Sequence, residues 1–507
     1  MIGNMANVDH HYRKATWIVV GLFLFLCLVT LNYNGPFFDE GIYVTAGIRT
    51  LEGVGYSDRF LTWFGGSLVW PVLAGLGYRA GGLLGSRTVA AVAATLALAA
   101  FARAVRNIFD ERVSFWAALA FAINGPFFSL ARLSVYDVLA LTGIAVAFWS
   151  VTEMREQDNR IWLGAAAGAY ALAVFAKYPM GLMIIPLVGV LLFLRRERAP
   201  LDVMLLGFMT AALGLAFFLP LREQIGQFFN WRLQNSPEFG VPYRAIVFTV
   251  VSFSAPPFFL ALGGWVMAQN RRWLGSLMIL SLLLWPAYHL LTADPVSVRK
   301  HLVFGYLFAY PLVGLTLSRI WGGGNGGVIK KVVAVLMVLL LGGLGLVQAN
   351  QADQSWPDIR PAADYLLERV EPGQELLINE SWPYTMYLYT EGRISSPWDV
   401  YDEYRIRTEE EAPPICEYDW FVDTRGSYAW PEEIIAAMES CGTFEQVFSH
   451  TSLVINVGAD FNYVSYPVET VVWMNTSELQ QSEQLESQSG RDLPFTGNRL
   501  VSTLGSE

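Results

Sequence analysis

Long apolar runs separated by short polar or basic segments dominate the first two thirds of the chain. A helix that crosses a membrane needs about 20 apolar residues, and residues 16–32 supply the first such run. Two later runs, 113–151 and 161–194, are too long for one crossing. We expect each to fold as a pair, broken at Asn124-Gly125-Pro126 and at Lys177-Tyr178-Pro179. The pattern predicts a polytopic α-helical membrane protein with about eleven transmembrane helices.

The pattern changes near residue 350. Apolar residues at helical spacing in 359–370 and 431–438 alternate with strand-like runs at 375–379 and 420–423. We therefore predict a transmembrane catalytic domain over 1–349 and a soluble α/β domain over 350–477. Residues 478–507 are rich in Gln, Ser and Glu, which predicts a disordered tail.

Basic clusters indicate the orientation of the chain. Lys and Arg are dense before the first run and again within 103–112, 195–198, 270–272 and 319–331. By the positive-inside rule these segments are cytoplasmic. We expect a multi-pass protein of the plasma (inner) membrane, with a cytoplasmic N-terminus and the α/β domain on the outer, extracytoplasmic face.

Composition supports the membrane assignment and excludes one class of partner. Of 507 residues, 54% are hydrophobic and 15% are charged, and the formal net charge is -10. Such a balance indicates membrane lipids as surroundings and argues against nucleic acid.

Cys416 and Cys441 both lie in the α/β region, where one disulfide is compatible with their spacing, although spacing alone does not decide it.

Isolated charges stand at the outer ends of several predicted spans. A charge near the bilayer core costs about 2.5 to 3.5 kcal/mol even on a mild scale, so charges on one face indicate a shared polar cavity. Snorkelling to lipid head groups is an alternative for the basic members, but it explains carboxylates poorly because they are short. The set comprises Asp39, Glu40, Arg132, Asp137, Lys177, Arg299, Lys300 and His301.

The most informative stretch follows the first run directly. Asn34-Gly35-Pro36 is a turn sequence that ends a helix, and Phe37-Phe38-Asp39-Glu40-Gly41-Ile42-Tyr43 comes next. Two adjacent carboxylates are therefore expected just outside the hydrocarbon. A solvated loop with interfacial aromatics is the alternative for this stretch alone.

These motifs resemble the GT-C superfamily of membrane glycosyltransferases. The resemblance lies in the Asp-Glu pair after the first span, a second acid within Ala131 to Leu139, and Lys-Tyr-Pro at the next outer turn. Within the superfamily it is strongest to protein O-mannosyltransferases and aminoarabinose (lipid A) transferases. The chain carries Gly41 where many members carry Ala.

The resemblance implies an inverting transfer of a sugar from a polyprenyl-phosphate donor to an acceptor hydroxyl on a lipid, polysaccharide or protein. Asp39 is then the catalytic base. Glu40 and Asp137 are further catalytic carboxylates, which orient the acceptor or hold Asp39. Tyr43 is expected to position substrate. Cations are needed at the leaving phosphate, and the candidates are Lys177, Arg299, Arg132, Lys300 and His301.

Cofactor use and two other functions remain open at this point. No cofactor is required by the pattern, although Asp39 and Asp137 could bind Mg²⁺ or Mn²⁺ through their oxygens. A transporter or lipid-binding protein would also use a charged outer cavity, but the chain lacks the internal repeat that many transporters show. A non-catalytic relative that scaffolds an envelope complex is the third hypothesis.

Overall fold

The structure is a computed structural model that describes most of the chain. The described residues are 2–53, 58–157, 159–195, 197–234, 243–292, 297–322, 327–408, 412–425, 429–457 and 463–477. The segment 478–507, for which we predict disorder, lies outside them.

The chain divides into two compact units. A helical unit holds Met1–Arg360 together with Trp382–Thr390 and Ser452–Pro467. An α/β unit holds Pro361–Ser381, Glu391–Thr451 and Val468–Glu507. The boundary that we place at residue 350, and the outer location of the α/β region, stay predictions.

Helices form almost all of the helical unit up to residue 353. They are α1 (Ile2–Val29), α2 (Phe38–Leu51), α3 (Asp58–Trp63), α4 (Val69–Ile108), α5 (Glu111–Ala122), α6 (Gly125–Ala131), α7 (Tyr136–Gln157), α8 (Ile161–Ala176), α9 (Ile184–Arg195), α10 (Ala199–Phe218), α11 (Arg222–Gln234), α12 (Tyr243–Met267), α13 (Arg272–Thr292), α14 (Val298–Gly322) and α15 (Gly327–Asp353).

The prediction of a polytopic helical membrane protein is confirmed, whereas its count of about eleven spans is not. Within the described ranges, nine helices are long and apolar enough to span a membrane, or ten if α5 and α6 form one bent span. The shorter α8 is also apolar. The most apolar stretch of α14 is entirely buried, so this helix lies at the centre of the bundle.

Breaks between helices occur where the sequence places turn residues. The axes of α5 and α6 differ by 71°, because the Asn124 side chain accepts a hydrogen bond from Phe127 N at 3.0 Å and Pro126 lies in the first turn of α6. Lys177 ends α8 in an extended conformation, and a 3₁₀ turn, Tyr178–Met183, precedes α9. Both breaks are at the residues that the sequence indicates.

A segment from the C-terminal third belongs to the helical unit. The Trp382 ring packs against Phe60 and Trp63, with ring centres 5.7 and 5.4 Å apart. Tyr389 donates a hydrogen bond of 2.8 Å to Glu52 at the end of α2. These contacts hold Trp382–Thr390 on α2 and α3.

The α/β unit is built on a mixed five-stranded sheet with the order β2-β1-β3-β5-β4. Strand β1 pairs in parallel with β2 and β3, and β3 pairs antiparallel with β5. The strands are β1 (Leu376–Ile378), β2 (Val400–Tyr401), β3 (Trp420–Thr424), β4 (Phe444–Val457) and β5 (Tyr463–Asn475). The helices after α15 are α16 (Arg360–Arg369), α17 (Ser381–Thr390), α18 (Glu403–Thr408) and α19 (Glu432–Cys441), of which α17 supplies the segment Trp382–Thr390 of the helical unit.

The core of this unit lies between the sheet and α19. Its buried side chains are Leu377, Tyr418, Phe421, Trp430, Ile434 and Met438. A disulfide joins Cys416 to Cys441 at the end of α19, with their Cα atoms 5.5 Å apart. Cys27 is a free, buried thiol in α1.

Removing this disulfide should loosen the α/β unit. The bridge closes a loop between positions 25 residues apart. By lowering the entropy of the unfolded chain, such a loop stabilises the folded state by about 3.5 kcal/mol. We expect Cys416→Ser/Cys441→Ser to lower the denaturant midpoint of limited proteolysis within 361–477, with Cys27→Ala as the control. Peptide mapping without reductant should recover the linked pair, and two free thiols there would contradict the assignment.

Candidate active site

The first turns of three helices converge on one cluster of charges. Asp39 lies in the first turn of α2, Asp137 in that of α7, and Lys300 and His301 in that of α14. Lys177, between α8 and the 3₁₀ turn, completes the cluster. Residues from four separate runs of the sequence therefore meet in the helical unit.

Asp39 is the accessible carboxylate of this cluster. Lys300 donates a 2.9 Å hydrogen bond to Asp39 Oδ2, and Lys300 Nζ lies 5.1 Å from the centre of the Phe37 ring. The Asp39 side chain remains 30% exposed, against 1% for Asp137. A substrate can reach Asp39 but not Asp137 in this arrangement.

Asp137 forms a buried ion pair with Lys177. Lys177 Nζ also lies 4.9 Å from the centre of the Tyr136 ring, so both a carboxylate and an aromatic ring stabilise its charge. His301 Nε2 is 3.9 Å from Asp137 Oδ1, and His301 Nδ1 is 2.8 Å from His289 Nε2. His301 Nε2 is buried and has no hydrogen-bond partner within the described residues.

Tyr43 lies on the inner face of α2 beside both carboxylates. Its ring centre is 5.0 Å from that of Tyr136. Burial raises the pKa of the Tyr43 phenol well above its ordinary value, and Tyr136, Asp39 and Asp137 reinforce the shift. Tyr43 therefore stays protonated at neutral pH and keeps a proton to donate.

Glu40 points away from Asp39 and forms a fully buried pair with Arg87 of α4. Arg87 donates from Nε to Glu40 Oε1 at 2.9 Å and from Nη2 to Oε2 at 2.8 Å. The same carboxylate accepts from the backbone N of Phe37 and of Ser134, at 2.9 and 2.8 Å. All acceptor positions of Glu40 are therefore used.

Arg87 is equally saturated. Its other guanidinium hydrogens go to the carbonyls of Leu31, Asn34 and Gly35, at 2.8 to 2.9 Å. All five N–H donors of this guanidinium therefore have acceptors. Arg87 thereby holds the turn that precedes α2.

Arg132 and Arg299 lie with a second acid, Asp353 at the end of α15, and its neighbour Ser355. Arg132 pairs with Asp353, which also accepts from Ser129 Oγ at 3.1 Å. Arg299 Nη2 donates to Ser355 Oγ at 3.1 Å. Arg132 therefore forms its ion pair with the buried carboxylate of Asp353 and not with Asp39.

The structure brings together five of the candidate residues and Tyr43, and separates the rest. The cluster of Asp39, Asp137, Lys177, Lys300 and His301 forms one site, whereas Glu40 and Arg132 form structural pairs. Sequence reasoning missed Arg87, Asp353 and His289. Arg87 did carry a signal, because it is a lone charge within an apolar run, where an ionisable residue needs a partner.

The donor set does not fit a divalent cation well. Within the ranges that the structure describes, no group of three or more His, Cys, Asp or Glu side chains is arranged to hold a metal. Asp39 and Asp137, which we considered as ligands, each already face a lysine ammonium. A cation between them would have to displace or repel both lysines.

Comparison with known proteins agrees with the sequence motifs. A family model described as dolichyl-phosphate-mannose-protein mannosyltransferase matches residues 80–222, a range that holds Asp137 and Lys177 but not Asp39. No curated protein matches the sequence.

Solved structures match over most of the chain. ArnT from Cupriavidus metallidurans in the apo state superposes with a TM-score of 0.61 at 15% identity, covering 90% of this chain and 97% of ArnT. ArnT bound to undecaprenyl phosphate gives 0.55 at 14% identity with the same coverage. The archaeal oligosaccharyltransferase AglB from Archaeoglobus fulgidus, with an inhibitory peptide and a dolichol-phosphate, gives 0.51 at 12% identity, covering 89% and 74%.

The chain is a multi-pass membrane protein with the fold of these enzymes. The resemblance to the GT-C superfamily, to which its sequence motifs point, is confirmed.

Breaking the pair of Glu40 and Arg87 should be severely destabilising. Arg87→Met leaves the Glu40 carboxylate buried without its cation, and such losses cost about 3 to 5 kcal/mol. We expect a large fall in monodisperse yield and in melting temperature, measured by fluorescence-detected size exclusion. Glu40→Met/Arg87→Met should lose less than the two single variants added together. An Arg87→Met protein that melts like the wild type would contradict this assignment.

Proposed function

We propose that the protein is an inverting glycosyltransferase that moves a sugar from a polyprenyl-phosphate donor to an acceptor hydroxyl at the outer face of the membrane. The observation that carries the proposal is Asp39, a partly exposed carboxylate beside Lys300 and the buried Lys177 and His301. The lipid phosphates named with the ArnT and AglB structures support such a donor.

The reaction needs a base at the acceptor hydroxyl and positive charge at the leaving phosphate. Asp39 accepts the proton of the acceptor hydroxyl while that oxygen bonds to the anomeric carbon. The bond from the anomeric carbon to the phosphate oxygen breaks, and its electron pair stays on the leaving lipid phosphate. Attack opposite the leaving group inverts the anomeric carbon. Lys300, next to Asp39, stabilises the charge that develops on the phosphate.

The other candidate residues support this centre in different ways. Asp137 positions Lys177 as a second cation for the phosphate. His301, which contacts His289, lies beside Asp137 in the same cluster. Tyr43, whose phenol carries a proton at neutral pH, donates a hydrogen bond to a sugar or phosphate oxygen. Arg299 precedes Lys300 in α14 and donates to Ser355 outside the cluster, and its role in phosphate binding stays a prediction.

Glu40 and Arg132 act through other residues in this proposal. Glu40, fully used by Arg87 and two backbone amides, positions the first turn of α2 and hence Asp39. Arg132 holds the end of α15 through Asp353. Both differ from the catalytic and phosphate-binding roles that the resemblance implies for them.

Replacing Asp39 separates catalysis from folding. Asp39→Asn keeps the shape of the side chain but removes the base, so we expect transfer to fall by about 10²- to 10⁴-fold while the melting temperature changes little. Glu52→Gln, at the other end of α2, is the matched control and should stay active. The assay gives purified protein a panel of radiolabelled polyprenyl-phosphate sugars with envelope extract as acceptor.

The same assay distinguishes the other functions. A transporter in liposomes would move the labelled lipid or sugar without forming a new glycosidic bond. A scaffold would bind its complex equally well with Asp39→Asn. Normal transfer by Asp39→Asn would overturn the role of Asp39 as base.

Transfer should not depend on a divalent cation. Because Lys300 and Lys177 already neutralise the two carboxylates, we expect EDTA to leave the transfer rate within about twofold of the control, a change of about 0.4 kcal/mol in the barrier. Loss of activity with EDTA, restored by Mg²⁺ or Mn²⁺, would show instead that Asp39 and Asp137 bind a metal.

A further inference from the structure

A cavity of about 440 Å³ lies at the other end of the helical unit. It is bounded by the C-terminal ends of α4, α12 and α14 and by the start of α5, and its lining includes Arg112, Arg271, Arg319 and Asp110. Lys300 and Arg319 belong to the same helix and are about 28 Å apart along its axis at about 1.5 Å per residue. The cavity is therefore separate from the cluster at Asp39.

The charge of this cavity is unbalanced. None of its three arginines forms an ion pair with a residue in the described ranges. Asp110, its carboxylate, caps α5 by accepting from Val113 N at 2.8 Å. The nearby Glu111 is taken by Arg13 at 2.8 Å and by Arg106 at 3.9 Å. Asp110 also attracts Arg271 electrostatically, but one carboxylate does not balance three guanidinium groups.

Two of the three arginine side chains, Arg271 and Arg112, are nevertheless held in place. Arg271 donates to the carbonyl of Ile108 and lies 5.4 Å from the centre of the Phe109 ring. The Arg112 guanidinium packs directly on Gly322. Arg112 Nε is buried without a hydrogen-bond partner, and a buried charged donor without an acceptor is costly.

We propose that this cavity binds a phosphate group, carried by an anionic phospholipid or present as the free ion. Fixed guanidinium groups match the oxygen geometry of phosphate with paired N–H donors. The cavity opens between the ends of membrane-spanning helices at a basic end of the bundle, where pockets of this kind meet lipid head groups. A phosphate would supply acceptors to Arg112 Nε and neutralise the excess charge.

Lipid binding by the full-length protein tests the proposal. Native mass spectrometry of purified wild type would count bound phosphatidylglycerol against zwitterionic phosphatidylcholine. We expect a clear preference for phosphatidylglycerol, and about tenfold weaker binding in Arg112→Gln/Arg271→Gln, which corresponds to about 1.4 kcal/mol. Lys330→Gln, an exposed cation outside the cavity, is the matched control and should bind like the wild type.

Inorganic phosphate identifies the source of the group. If millimolar phosphate displaces phosphatidylglycerol and raises the melting temperature of the wild type but not of the double variant, the free ion is sufficient. If phosphatidylglycerol raises the melting temperature of the wild type and inorganic phosphate does not, the site binds a lipid head group. Equal binding by wild type and double variant, or no preference for the anionic lipid, would overturn the proposal. Should the double variant fail to fold, Arg319→Gln replaces it in the same measurements, because Arg319 is exposed. We again expect weaker binding of phosphatidylglycerol than in the wild type.

Discussion

The buried pair of Glu40 and Arg87 is the constraint on which the candidate site depends. Taking two ions out of water costs several kcal/mol each, and the pair offsets this only if every remaining donor and acceptor is satisfied. Here all are. The bonds tie the end of α1, the turn at Asn34, α4 and the start of α7 to one point. Because successive helical residues point about 100° apart, burying Glu40 turns Asp39 toward Lys300.

The same pair explains what could be predicted from the sequence and what could not. Asp39, Asp137 and Lys177 stand at the ends of apolar runs, so length arguments alone place them at one membrane boundary. The roles of Asp39 and Glu40 cannot be separated in this way, because neighbours in sequence share the same run and turn. The partner that distinguishes them, Arg87, is 47 residues away from Glu40, and no local pattern links the two positions.

The number of helices that cross the membrane, and the unit to which 381–390 belongs, could not be decided from the sequence for related reasons. An apolar run shows that a segment is buried, but not whether it crosses, bends or stays short, as the 71° break between α5 and α6 illustrates. Likewise, 381–390 has aromatic residues that fit the core of a soluble domain. The Trp382 ring packs on α3 instead, which only the three-dimensional arrangement reveals.

Gly41 has a consequence for how such proteins can be recombined. A Cβ at this position would lie 2.5 Å from the carbonyl carbon of Trp382 and 2.8 Å from the backbone nitrogen of Pro383. An Ala at this position therefore does not fit while Trp382–Thr390 rests on α2. Trp382–Thr390 is consequently not exchangeable on its own. A chimera that joins this segment to an α2 with Ala at position 41 would push away the helix that carries Asp39, so α2 and Trp382–Thr390 must be transplanted together.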